Sequence, residues 1–119
     1  MKIKVPRKIQ IGGHLYSIVF NDGLLDDTLT GAHNPRQNRI EISPHRPSVK
    51  WTETLLHEIV HSVNNVYANN RLGEDDVNAV SQGLFQVFAE LGLALDWSDI
   101  PTIKVSVGEK DQAFHKKLA

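Results

Sequence analysis

An α+β fold is predicted, with a small antiparallel β-sheet packed on a helix that carries a metal-binding pattern and on a second, antiparallel helix. Three features of the 119-residue sequence lead there. Short alternating segments separated by Gly-Gly and Asn-Pro turns fill roughly the first forty residues. Two segments with helical periodicity follow, at 48–66 and from Glu74 to Leu91. Between them lie Asn69, Asn70 and Gly73, residue types that end helices and make turns.

Each element follows from local pattern. Ile3, Val5, Ile9 and Ile11 alternate weakly around Pro6, Gly12-Gly13 turns the chain, and 14–20 alternate before an apolar end. This is a β-hairpin in which Pro6 marks an edge or a strand start. Asn21-Asp22-Gly23 makes a turn, and the chain to Thr30 has no period. A second hairpin runs from Leu29 to His33, turns at 34–37 and returns through 38–43. On that return strand Ile40 and Ile42 face inward, while Arg39, Glu41 and Ser43 face water, the pattern of an antiparallel edge.

Pro44 and Pro47 end the strand, and Ser48 can cap the helix that follows. Trp51 and Leu55 begin the buried arc of this first helix. The second helix opens on Glu74-Asp75-Asp76, three acids suited to the positive end of a helix dipole. Val77, Val80, Leu84, Val87, Phe88 and Leu91 give it an apolar stripe. Beyond Gly92 the pattern weakens to a turn at 96–101, a short strand at 103–107 and a frayed or disordered end. Residues 1–91 are expected to form one domain, with 92–119 a C-terminal extension.

Composition excludes several classes. Thirteen basic against fourteen acidic residues leave no field to hold phosphates, so no nucleic-acid partner is expected. There is no cysteine, hence no disulfide or thiolate metal site; histidine and carboxylate are the available ligands. No apolar run reaches the length of a membrane span, and the N-terminal residues do not resemble a signal peptide. A cytoplasmic protein with no membrane partner is the expectation.

The chemistry lies in Leu55-Leu56-His57-Glu58-Ile59-Val60-His61, a complete H-E-x-x-H pattern. Residues four apart on a helix differ by only ~40° in direction, so His57 and His61 share a face and can bind one metal ion. Glu58 lies just round the helix, where a carboxylate can take a proton from water on that metal. The apolar residues Leu55, Leu56, Ile59, Val60, Val63, Val66 and Tyr67 form the opposite arc, and Asn64 falls on the histidine side as a neighbour of the ligands. The competing reading is a pair of ordinary solvated histidines. An accidental motif need not respect helical phase; this one does.

Two histidines leave a zinc site short of one protein ligand. Asn64 and Tyr67 stand where a longer histidine motif would need Gly and His, so an acid on the second helix is the available source. If the helices turn near 67–69, positions 74–76 lie level with His61. Shifting the turn by one residue shifts the match by two, so Glu74 and Asp76 both remain open, while Asp75 points away.

The octapeptide Thr54–His61, the segment 72–77 and Ser81-Gln82-Gly83-Leu84 resemble the small H-E-x-x-H zinc metallopeptidase-like proteins of phages, prophages and mobile elements. So does the opening, with Ile3-Lys4-Val5-Pro6 and 12–16. These proteins look like minimal gluzincins, and the resemblance covers most of residues 1–91 as a zincin-like domain. It implies a Zn2+ cofactor held by His57, His61 and Glu74 (Asp76 being the alternative), Glu58 as general base, and a peptide or protein substrate. The spacer before the acid is much shorter than in thermolysin-like enzymes. Their second lobe and the histidine that meets the oxyanion are also missing here.

Zinc-dependent peptide hydrolysis is therefore the expected function, with strand 38–43 accepting an extended peptide by strand addition. A metal-stabilised binding or regulatory module that does not turn over substrate is the alternative. The sequence leaves the oligomeric state open. His33 and His45 read as surface loop residues, Tyr67 as a core or rim tyrosine, and His14 and His115 as ordinary surface residues.

Overall fold

The computed structural model describes residues 1–27 and 30–104, and these form an α+β fold with two helices and a small mixed sheet. The expectations for Leu29, His115 and the chain from 105 onward lie outside the described residues. The strands are β1 (Lys2–Lys4), β2 (Lys8–Ile11), β3 (His14–Asn21), β4 (Gly31–Asn34), β5 (Arg39–Ile42), β6 (Ala94–Asp96) and β7 (Thr102–Ile103). The helices are α1 (Ser48–Tyr67) and α2 (Glu74–Glu90), and a 3-10 helix spans Asp22–Asp27.

The first hairpin forms as expected between β2 and β3, turning at Gly12, whose φ of +59° suits glycine. A Cβ there would also lie 2.4 Å from Val66 Cγ1, so the turn seats on the end of α1 only without a side chain. β1 does not extend this hairpin. It pairs in parallel with β6 as a separate two-stranded unit, because Pro6 interrupts the ladder between β1 and β2.

The sheet is not purely antiparallel. Its order is β2-β3-β5-β4, with β5 parallel to β3 and β7 also pairing β3 in parallel. β5 is therefore internal, and β4 takes the open end of the order. The more apolar strand occupies the centre, while the edge carries Gly31, Ala32, His33 and Asn34. The wet face expected for β5 is closed as well: Glu41 and Ser43 are fully buried. Glu41 is satisfied there, accepting hydrogen bonds from Asn21 Nδ2 and Arg39 Nε, both at 2.7 Å.

The core lies between this sheet and α1, built from Tyr16, Ile18, Phe20, Ile40, Ile42 and Leu55. α2 packs on α1 and makes no comparable contact with any other described element. α1 opens with Pro47 in the capping position and no side-chain cap, so Ser48 does not serve as one. The chain beyond residue 91 is no separate extension where it is described. β6 and β7 join the strands, and Ile100 is buried in the main core with Leu95 and Trp97 packed against it. No helix among the described residues is long and apolar enough to cross a membrane.

Candidate metal centre

α1 places the two motif histidines one turn apart with their rings 4.7 Å between centroids and Nε2 atoms 3.1 Å apart. The first residue of α2 closes the group. One carboxylate oxygen of Glu74 is 3.0 Å from His57 Nε2, and the other is 3.1 Å from His61 Nε2. These three residues are the one group among the described residues whose donor atoms converge as metal ligands would. Asp76 contributes no atom to it, and both Asp75 and Asp76 are exposed on the first turn of α2. Of the two acids the sequence left open, the turn brings Glu74 to the histidines.

The turn itself is held by Asn64. Its Nδ2 donates to the Leu72 carbonyl at 3.0 Å, and the Leu72 amide donates back to its Oδ1 at 3.1 Å. Asn69 and Asn70 complete the reversal with φ of +52° and +58°, the left-handed region that asparagine tolerates. Asn64 thus acts on the cluster through the backbone that delivers Glu74, rather than by touching a histidine ring.

Donor chemistry fits a divalent transition ion. Tetrahedral ligands at 2.0–2.1 Å from a zinc ion stand ~3.3 Å from one another, close to the observed separations. Two facing imidazole nitrogens cannot both keep a hydrogen between them, and a carboxylate adds only acceptors. A cation at their centre would serve all three. Burial holds the His61 pKa below the usual imidazole range, and His57 lowers it further while Glu74 opposes. A neutral imidazole is the form that binds a metal.

Ser81, on the buried side of α2, stands 3.5 Å from His57 Nδ1 and donates its own hydroxyl to the Asn78 carbonyl at 3.2 Å. With Nε2 turned to the cluster, Nδ1–H faces that hydroxyl, an arrangement that fixes the tautomer and the ring. In the sequence Ser81 stands within a segment that resembles the metallopeptidase-like proteins but carries no role of its own there. Its one local signal is a serine among apolar positions of an amphipathic helix.

Glu58 is buried beside the cluster. Its Oε1 has no hydrogen-bond partner among the described residues. Burial pushes its pKa up to about 8, with the Glu74 and Glu41 carboxylates adding to the effect. β4 makes room for it. A Cβ on Gly31 would meet Thr54 Cγ2 at 2.4 Å and the Glu41 carbonyl oxygen at 2.9 Å, so glycine lets the strand approach the motif turn of α1.

A cleft of about 610 Å3 opens over these groups, lined among others by Gly31, Arg46, Lys50, His57, Glu58 and Glu74. His33 takes a different place from that expected, whereas His45 is the surface loop residue the sequence suggests. His33 is fully buried in β4 against the Tyr16 ring, where burial and nearby His61 lower its pKa to about 4. His45 is exposed and pairs with Asp22. Tyr67 is an exposed rim residue at the end of α1. Comparisons with family models, curated proteins and solved structures find no match, so the reading of this site rests on its geometry and chemistry.

Proposed function

We propose that the chain is a zinc-dependent hydrolase acting on peptide bonds. The observation that carries the reading is the convergence of His57, His61 and Glu74 beside a buried, unpartnered Glu58 carboxylate oxygen in an open cleft. A zinc ion held by these three residues supplies Lewis-acid polarisation of a scissile carbonyl and acidifies water. The protein supplies the proton path: Glu58 takes the proton of the attacking water and returns it to the leaving amine. Ser81 and the Asn64–Leu72 clasp keep His57 and Glu74 in place while this happens.

The cleft offers donors for the oxyanion that the sequence does not identify, Arg46 among them. Arg46 lines the wall with His57 and Glu58, and a guanidinium can meet a carbonyl oxygen that gains negative charge. The peptide-docking strand is reassigned. β5 is internal and cannot accept an added strand, whereas β4 ends the sheet and begins at cleft residue Gly31.

The test uses protein purified without a metal-affinity tag. Metal content is measured first, and a proteome-derived peptide library is then digested with the parent and with Glu58→Gln. Retained zinc with lost cleavage supports the reading; absence of bound or loadable zinc sinks it. One feature favours the second reading, a metal-stabilised binding module: burial pushes the Glu58 pKa up to about 8 in the metal-free site, away from the ionised form a general base needs. Glu58→Gln would then leave partner binding unchanged, and no cleavage would be found in either protein.

A further inference from the structure

The apolar arc of α2 is wider than its contact with α1. At ~100° per residue, Val77, Ser81 and Phe88 face α1, while Val80, Leu84, Val87 and Leu91 form a stripe centred some 70° further round. That stripe is open to solvent. Val80 is 46%, Leu84 37%, Val87 53% and Leu91 66% exposed. Cleft residues Glu74, Asn78 and Gln82 lie on the opposite flank of the helix, so the stripe is turned away from the candidate metal centre. Val63, ~160° round α1 from His61, is also exposed.

We infer that this stripe is a two-fold interface through which α2 pairs antiparallel with α2 of a second copy of the chain. The spacing of the stripe is the first reason. Steps of four, three and four residues read the same in both directions. An antiparallel pair with its two-fold axis between Phe85 and Gln86 sets Val80 against the partner's Leu91 and Leu84 against the partner's Val87. Such self-complementarity is what an isologous contact requires, and the four–three spacing is that of a helix–helix seam.

Charge is the second reason. α2 contains no lysine or arginine, and its acids gather in the first turn as Glu74, Asp75 and Asp76, with Glu90 at the other end. A parallel pair would superpose two groups of three acids. The antiparallel pair about this axis separates them by roughly 30 Å, well beyond the ~8 Å screening length at physiological salt. It also opposes the two helix dipoles. The stripe itself has no charge that would select a charged partner.

Area sets the strength. The exposed surface of these side chains is on the order of 400 Å2 per copy, within the ~300–600 Å2 of a monomer's largest patch and below the ~800 Å2 per partner of a standard complex. A reversible dimer in the micromolar range is expected. Because α2 packs chiefly on α1 among the described elements, pairing would also steady the helix that presents Glu74.

Sedimentation of the full chain, with and without added zinc, tests this independently of the metal reading. The mass should rise from 13.3 kDa towards twice that value between ~1 and ~200 µM. Val80→Glu and Leu91→Lys should each remain monomeric at the upper concentration, with unchanged circular dichroism. Mixing the two should restore a dimer, since the new glutamate faces the new lysine in this register. A parent chain monomeric throughout overturns the inference, including the case in which another protein covers the face. A dimer indifferent to both substitutions, or variants that fail to rescue one another, overturns it equally.

Discussion

Asn64 clasps Leu72 across the turn between the helices, its side-chain amide donating to the Leu72 carbonyl while its carbonyl oxygen accepts from the Leu72 amide. Two residues later Glu74 reaches both histidines. The clasp therefore sets the height at which α2 presents its acid. Asn64→Ala leaves two backbone groups short of partners and should cost about 1–3 kcal/mol in urea unfolding. It should also weaken zinc binding by ~10-fold or more in competitive titration, without removing any ligand. Unchanged affinity would show that the acid finds its place without the clasp.

Glu74 and Asp76 separate in the same titration. Glu74→Ala should lower zinc affinity by at least ~10–100-fold. Asp76→Ala should cost only an N-terminal charge interaction on the order of 0.3–1 kcal/mol, and Asp75→Ala should do little to affinity. A large loss at Asp76 with Glu74 indifferent would reassign the third ligand; small, equal effects would mean that no acid on this helix completes the site.

The buried Glu58 makes a pH prediction for metal-free protein. Its folded pKa, about 8, stands above the ordinary 4.5, so the folded state holds the proton that the unfolded state releases in between. The stabilisation is fully present below pH 4.5 and is lost as pH rises through about 8. From this group alone the slope of stability is at most about 1.4 kcal/mol per pH unit. With chelator present, Glu58→Gln should flatten the decline between pH 5.5 and 8.5. Parallel curves for parent and variant would place the titration elsewhere.

Gly31 gives a packing prediction. Its absent Cβ is replaced in space by Thr54 Cγ2 and the Glu41 carbonyl oxygen. Gly31→Ala should force β4 away from α1 and lower stability by about 1–3 kcal/mol. Adding Thr54→Ala removes one of the two clashes, so the double variant should recover part of the loss. No loss in the single variant would show that the strand and helix separate freely.

Much of the site was legible because it is local. The four-residue spacing of His57 and His61 fixed their common face, and the period of the apolar residues located both helices, with α2 beginning at Glu74 as expected. Turn chemistry at Gly12 and at Asn69-Asn70 marked both reversals. Alternation likewise identified Ile40 and Ile42 as inward residues of one strand.

Tertiary structure decided what depends on neighbours distant in sequence. Alternation says which side chains share a face but not which strand lies alongside, so β5 reads as an edge and folds as an internal strand. For the same reason Glu41 reads as wet, although Asn21 and Arg39 supply its partners in a buried setting. His33 looks like a loop residue until the Tyr16 ring covers it. The choice of Glu74 over Asp76 turns on the exact height of one turn, which Asn64 sets by reaching eight residues along the chain. A periodic pattern also counts every apolar residue of α2 as buried. Only the packing of that helix, chiefly against α1 among the described elements, reveals that four of the six stripe residues stay exposed.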